Sequence, residues 1–198
     1  PCYKSSEIAP LLVKDVIKFV DKLICIDDAC PDSTGYKIRN SIKSDKVDFL
    51  FHDSNRGIGG AMKSGFLYAL KFKPQIIIKI DSDGQMDPFL IPKLLEPILN
   101  GSCELTKGNR FTNPKSIRKM PIIRIIGNIG LGFITKLSTG YWELFDPTNG
   151  FIAMRADVLN EISLEKIDNG YFFETDLLFR CSLSNILISE IAMEAIYA

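Results

Sequence analysis

Apolar positions fall into two rhythms along this chain. Leu23-Ile24-Cys25-Ile26 within Asp21 to Asp28, Val47 to His52 and Ile76 to Ile80 are short runs rich in β-branched and aromatic residues, the pattern of inner strands. Between them the spacing turns helical: Ile8, Leu11, Leu12, Val16 and Phe19 across Glu7 to Val20, then Tyr36 to Lys43, then Asn55 through Met62, Phe66, Leu67 and Leu70 to a stop near Pro74. Pro10 fits only near the first turn of its helix. Strands and helices alternating in units of this length predict an α/β fold, a mostly parallel central sheet flanked by helices with right-handed crossovers.

The pattern loosens after the third strand. Phe89 to Leu99 reads as a helix interrupted by Pro92 and Pro97, and Glu104 to Lys107 as a short strand running into Gly108-Asn109-Arg110-Phe111. Asn113, Pro114 and Pro121 mark a loop. Ile122 to Leu137 is apolar but broken by Arg124, Asn128 and Lys136 and softened by Gly127, Gly130 and Gly132. Such a helix is too polar and too short to span a bilayer, although one face could lie on it; packing over the sheet or the site is the plainer reading. Phe151 to Met154 predicts a strand, Val158 to Ile162 and Leu177 to Leu183 helices, and Ile186 to Tyr197 one or two strands. One domain over residues 1–198 is expected, its pattern changing character beyond Thr112.

Composition narrows the partners. The 198 residues are 46% hydrophobic, ample for a core, and 24 basic side chains balance 24 acidic ones. No basic field points to nucleic acid, so partners must be argued from local sites. Five cysteines, none in C-x-x-C spacing, suit reduced and mostly buried thiols in a cytoplasmic setting. No basic segment followed by an apolar stretch opens the sequence, and no apolar run reaches bilayer length.

The densest chemistry follows the clearest strand. Asp81-Ser82-Asp83-Gly84-Gln85 places two carboxylates and an amide in a turn at a strand's carboxyl end, where open α/β sheets bind ligands. Hard oxygen donors of this kind suit Mg²⁺ or Mn²⁺, which keep positions for water and phosphate. Asp27-Asp28 caps a second strand at the same edge and reads either as a solvated strand end or as a hydrogen-bonding partner for a base or ribose. Asn55 to Ala61, with Gly57, Gly59 and Gly60, is either a phosphate cradle or a plain helix start; it lacks the spacing of a dinucleotide site and the ending of a P-loop. The single histidine, His52, reads as structural. Glu174 and Asp176, two apart, point different ways on a helix, and Thr175 as N-cap would put Asp176 in the first turn. Arg110, Arg118 and Arg124 can pair with phosphates or stay solvated.

Taken in order, D-D-A-C-P-D-S-T-G, N-R-G-I-G-G-A, D-S-D-G-Q-M-D-P, K-G-N-R-F, D-P-T-N-G-F and F-F-E-T-D resemble family 2 glycosyltransferases, nearest the dolichol- or polyprenyl-phosphate mannose and glucose synthase branch. The resemblance implies a Rossmann-like nucleotide-diphospho-sugar transferase fold, with 1–111 as a nucleotide-binding half and 112–198 as an acceptor-side half. It makes Pro1-Cys2-Tyr3 the close of a first strand lying upstream of this sequence. Pro1, Tyr3, Asp27, Asp28, Gly57, Lys63, Asp81, Ser82, Asn149 and Gly150 would contact the nucleotide sugar, UDP- or GDP-linked. Asp81, Asp83 and Gln85 would hold Mg²⁺ or Mn²⁺; Asp176, or failing it Glu174, would deprotonate the acceptor; Arg110, Arg118 and Arg124 would meet the acceptor phosphate. The family's adjacent Glu-Asp is split here by Thr175. The implied reaction is inverting sugar transfer to a polyprenyl phosphate or a saccharide, at or near the cytoplasmic face of a membrane. The competing readings are a truncated nucleotide-binding domain without activity and a Mg²⁺-dependent phosphohydrolase, for which no downstream acid set completes a metal site.

Overall fold

The computed structural model describes residues 1–112 and 122–194, with the side chains of residues 122–126 and 128 left out. Among the described residues the strands and α-helices follow in the order α1 (Ala9–Val16), β1 (Leu23–Asp27), α2 (Thr34–Ser41), β2 (Val47–Phe51), α3 (Gly57–Ala69), β3 (Ile76–Lys79), α4 (Ile91–Leu99), β4 (Leu105–Asn109), α5 (Ile122–Thr139), β5 (Ile152–Arg155), α6 (Val158–Glu161), α7 (Phe173–Leu183) and β6 (Ile188–Ala192). β1 and β2 pair in parallel; the other sheet has the order β3-β5-β4-β6, with β5 its one reversed strand. The protein is thus α/β with a mostly parallel sheet flanked by helices. β5, from the second half of the sequence, inserts between β3 and β4 from the first, so both halves share a sheet.

Side-chain alternation along β5 decides the layering. Ile152 and Met154 face a core built with Phe66 of α3 and Leu177 of α7, whereas Phe151 and Ala153 face Leu12 of α1 and Ile91 and Leu94 of α4. A third cluster joins Cys2, Val13, Cys25, Ile38 and Val47 around β1. β1 and β3 are not hydrogen-bonded to each other, and a cavity of about 630 Å³ lined by Ile24, Ile26, Phe66, Ile76, Ile78 and Leu95 lies between them. At one end of β1, Cys2 makes a parallel bridge to Asp27, with Cys2 N–H donating to Ile26 O at 2.7 Å.

Several boundaries differ from expectation for local reasons. α1 is shorter than Glu7 to Val20, because the chain turns at Lys18 and Phe19 before β1. α2 starts at Thr34 rather than Tyr36, since Gly35 N–H donates to the Asp27 carboxylate and draws the first turn toward β1. A 3₁₀ turn over Pro88–Leu90, opened by Asp87 accepting from Phe89 N–H, precedes α4, which leaves Pro92 harmless in the first turn. α7 begins at Phe173 with no side-chain cap, so Thr175 is a buried first-turn residue and not the N-cap.

Candidate active site

The turn after β3 is built to present oxygens. Gly84 sits at φ +76°, a left-handed conformation, and a Cβ there would lie 2.6 Å from Ile8 Cγ2. Gln85 N–H donates to Asp83 Oδ1 at 3.0 Å, closing an Asx turn, while the Ser82 and Ser5 hydroxyls lie 2.6 Å apart and tie the turn to the start of the chain. Asp83 itself is exposed.

Directly behind the turn is a buried cation that the sequence reading did not single out. Lys79 Nζ donates to Asp81 Oδ1 at 2.6 Å and to Gly150 O at 3.3 Å, and lies 3.0 Å from Glu174 Oε1. Burial opposes the ammonium charge, but the attraction of Asp81 and then Glu174 outweighs it and holds Lys79 above the usual lysine value. Burial likewise pushes the Asp81 carboxyl up, and Lys79 more than reverses it, so Asp81 stays below the usual range. Asp83 moves the other way: desolvation, with Asp81 adding repulsion, raises it. The two neighbouring carboxylates therefore differ in surroundings, Asp81 paired with the buried Lys79 and Asp83 exposed at the turn.

A second polar cluster adjoins the first. Asp146, buried, accepts from Arg110 Nε and Nη2 at 2.7 Å each and from Arg110 N–H at 3.0 Å; Arg110 Nη2 also reaches Thr148 Oγ1 at 3.1 Å. Lys107, buried in the strand, donates to Asp146 O, and its desolvation lowers its pKa to about 8. Glu190 receives Asn109 Nδ2 and the N–H groups of Phe145 and Asp146. Asn149 Oδ1 accepts from Phe151 N–H at 2.9 Å, which bends the loop so that Gly150 O faces Lys79.

The structure redistributes several expected site residues. Asp27 spends both carboxylate oxygens on the N–H groups of Cys30 and Gly35, each at 2.7 Å, and Asp28 binds Arg56 N–H at 2.9 Å and lies 2.6 Å from His52 Nδ1. These carboxylates tie loops together. The glycine-rich segment is occupied as well: Gly59 N–H donates to Asn169 O at 2.8 Å, and a Cβ at Gly59 would lie 2.0 Å from Asp168 O. It seats the 168–170 loop, and Gly57 and Lys63 share that surface, the lysine donating to Glu165 O. Asp176 accepts from Asp168 N–H at 2.7 Å and lies 3.4 Å from Arg180 Nε, whereas Glu174 faces Lys79; the preferred base candidate is thus the one not joined to Asp81. Pro1 borders the cavity between β1 and β3, and Tyr3 is 44% exposed. Arg118 lies outside the described residues, and Arg124 is placed on α5 by its backbone alone. Lys79, Lys107, Asp146 and Glu190 were the omissions. The lysines gave only a partial signal: each stands inside a strand, in I-I-I-K-I-D and L-T-K-G-N-R, but which way it faces depends on the sheet order.

For a divalent ion, no group of three or more His, Cys, Asp or Glu side chains converges among the described residues. Asp83, with Gln85 beside it and Asp81 already neutralised, offers oxygen donors on one side only. That fits a hard cation completed by phosphate oxygens and water.

The comparisons with known proteins agree with this geometry. The profile of "Glycosyl transferase family 2" matches residues 1–163. Over 212 aligned residues, spanning all of this chain and 84% of the relative, the chain is 30% identical to UDP-N-acetylglucosamine--dolichyl-phosphate N-acetylglucosaminyltransferase of Methanococcus voltae. It is also 30% identical, over 91% of its length and 74% of the relative, to undecaprenyl-phosphate mannosyltransferase of Micrococcus luteus. Among solved structures, glucosyl-3-phosphoglycerate synthase of Mycobacterium tuberculosis, crystallised with Mn²⁺, UDP and phosphoglyceric acid, superposes with a TM-score of 0.76 over the whole chain and 68% of that protein; at 17% identity the likeness concerns the fold. The ordered motifs, the acid turn closing β3 and the profile spanning most of the chain together place this protein in glycosyl transferase family 2, as a glycosyltransferase.

Proposed function

We propose that the chain catalyses inverting transfer of a sugar from a UDP- or GDP-linked donor to a polyprenyl phosphate, assisted by Mg²⁺ or Mn²⁺. The observation that carries the reading is the convergence of Asp81, the exposed Asp83, Gly150 and Glu174 at the carboxyl end of β3. Asp83, with Gln85 nearby, would hold the ion, which would supply positive charge to neutralise that growing on the departing nucleoside diphosphate. Asp81, set by Lys79, accepts hydrogen bonds from the nucleotide's ribose. Asn149 and Gly150 line the donor sugar. An ionised phosphate oxygen attacks the anomeric carbon as the bond to the diphosphate breaks, and this single displacement inverts the configuration. The nucleophile is already anionic, so no side chain need take its proton. This suits a site whose two base candidates are committed, Glu174 to Lys79 and Asp176 to Asp168 N–H. The names of the Methanococcus and Micrococcus relatives support the phosphate acceptor.

Contact with a membrane surface is part of the proposal. Ile129, Phe133 and Leu137 recur every four residues on α5, each about 60% exposed, and exposed Trp142 and Phe145 follow, with Lys136 3.8 Å above the Phe145 ring. Lys115, Arg118, Lys119 and Arg124 precede them in the sequence with no acid between, a composition suited to anionic headgroups. No helix among the described residues is long and apolar enough to cross a membrane.

The test is melting temperature with UDP, GDP and their sugars, each with and without Mn²⁺, followed by transfer from the stabilising donor to polyprenyl phosphate and to free saccharides. Stabilisation by one nucleotide with Mn²⁺ and product only on the lipid phosphate are expected. Product only on saccharides would replace the acceptor assignment, and no stabilisation by any nucleotide would end the donor assignment. Phe133→Asp should release the protein from anionic vesicles without changing nucleotide binding.

A further inference from the structure

Three segments from distant parts of the chain meet on one amine. Lys79 at the end of β3 reaches the post-strand turn through Asp81, the loop before β5 through Gly150 O, and the first turn of α7 through Glu174. We infer that Lys79 is a positioning residue for sugar transfer and that Glu174 is its counter-charge, not the reaction's base. The inference rests on the donor site proposed above.

Exposure separates the roles. The Lys79 side chain is 0% exposed, that of Glu174 12% and that of Asp81 27%. The ammonium cannot touch a substrate, so whatever it does passes through the groups it binds. Strand register explains why it sits there: Lys79 and Lys107 both pair with Ile152 of β5, from opposite sides. Directly opposed residues share a face of the sheet, so the two buried lysines flank Ile152 on the α7 side. Glu174 enters that space from the first turn of α7, where the helix dipole favours a carboxylate. Among the described residues Asp81 and Glu174 contact Lys79, and Asp83 feels its charge from farther off; Lys107, level with it across Ile152, donates to Asp146 O.

A general base must gain a proton during the reaction. Were Glu174 to do so, Lys79 would keep its charge, out of water, with one carboxylate fewer. As a fixed counter-charge, Glu174 instead lets Lys79 stay ionised and hold Asp81 and the Gly150 carbonyl still throughout. Asp176, two residues on, projects to another side of α7 and belongs to the 168–170 loop.

The experiment compares wild type with Glu174→Gln, Lys79→Met, Lys79→Arg and the double variant Lys79→Met/Glu174→Gln. It reads kcat and donor KM across pH, nucleotide affinity and melting temperature. Wild-type nucleotide stabilisation, measured first, tests the donor site independently. Glu174→Gln, which keeps an oxygen for Lys79, is expected to lose about 10-fold or less in kcat and to retain the wild-type pH profile. Lys79→Met, assayed where circular dichroism shows it folded, should lose at least about 100-fold in kcat/KM. Adding Glu174→Gln to it, which removes one of two unpaired acids, should recover at least about fivefold. A loss above about 1000-fold in Glu174→Gln, with the acidic limb of the pH profile gone, would make Glu174 the base and overturn the inference. So would a folded Lys79→Met with wild-type kinetics. If Lys79→Met does not fold, Glu174→Gln and Lys79→Arg decide: Arg in place of Lys is expected to keep the charge but misplace Asp81, raising donor KM.

Discussion

Gly150→Ala makes the sharpest stability test, because a single methyl would enter the charged centre. Its Cβ would lie 2.3 Å from Lys79 Nζ and 2.5 Å from Asp81 Oδ2, closer than real Cβ contacts come. The backbone at Gly150 is not in the left-handed region, so alanine is conformationally acceptable and the whole effect is steric. Lys79 cannot swing aside cheaply, because its ammonium is buried and bound on three sides. Forcing a methyl into a packed interior costs about 1–3 kcal/mol. At about 2–4 °C per kcal/mol for a domain of this size, the melting temperature should fall by roughly 2–12 °C. Displacing Asp81 should also lower kcat/KM by about 10- to 100-fold. Gly130→Ala is the matched control: Gly130 is exposed on α5 with nothing within 4 Å of its would-be Cβ, and alanine there should stabilise by about 0.5–1 kcal/mol. Calorimetry and transfer kinetics on the pair decide the matter. A Gly150→Ala protein melting at or above wild type, with kcat/KM within twofold, would refute the packing described for the site.

The other predictions test single charges and one packing contact. Asp83 has its folded pKa raised, so the fold binds its proton more tightly than the unfolded chain and loses stability as pH rises through the carboxylate range. Asp83→Asn should therefore melt no lower than wild type at pH 7 without metal, gain nothing from Mn²⁺, and transfer sugar at least about 100-fold more slowly. Lys107, at about 8 in the fold against an ordinary 10.5, makes the unfolded state the stronger proton binder between those values, so its contribution to stability rises with pH across that window by about 1.4 kcal/mol per unit. Lys107→Met should remove that rise, read as the difference in melting temperature from wild type at pH 7.5 and 9.5. Gly59→Ala should lower the melting temperature by driving a methyl into Asp168 O, while leaving nucleotide affinity at low temperature unchanged; a large loss of affinity in the folded variant would favour the phosphate-cradle reading of this segment.

Strands were legible wherever local pattern and burial agree. Ile76 to Ile80 is β-branched except at Lys79 because β3 has helices on both faces, and the structure places it within one residue of expectation. Helix ends were less legible, because tertiary bonds set them: Gly35 N–H to Asp27 starts α2 early, and packing of Phe173 into the core, not a cap, starts α7. The acid turn could be read because Gly84, Asp83 and Gln85 close it locally. The engagement of Asp28 and Gly57 could not, since their partners are remote in sequence, Arg56 N–H for the first and the Asn169 backbone for the second; that of Asp27 and Asp176 depends on how a loop closes over partners eight or fewer positions away.

By itself the sequence determined the alternation of strand and helix, the carboxylates at the end of β3 and the ordered motifs of the family, because each depends on neighbours within a few residues. Only the tertiary structure decided which charges meet. β5 runs between β3 and β4, bringing Lys79 and Lys107 level on either side of Ile152, and α7 delivers Glu174 to the first of them. The physical reason is desolvation. A lysine in a strand reads as polar and outward until the sheet order puts it beneath other elements of the fold, and there its charge survives only against Asp81 and Glu174, which the sequence holds 93 positions apart.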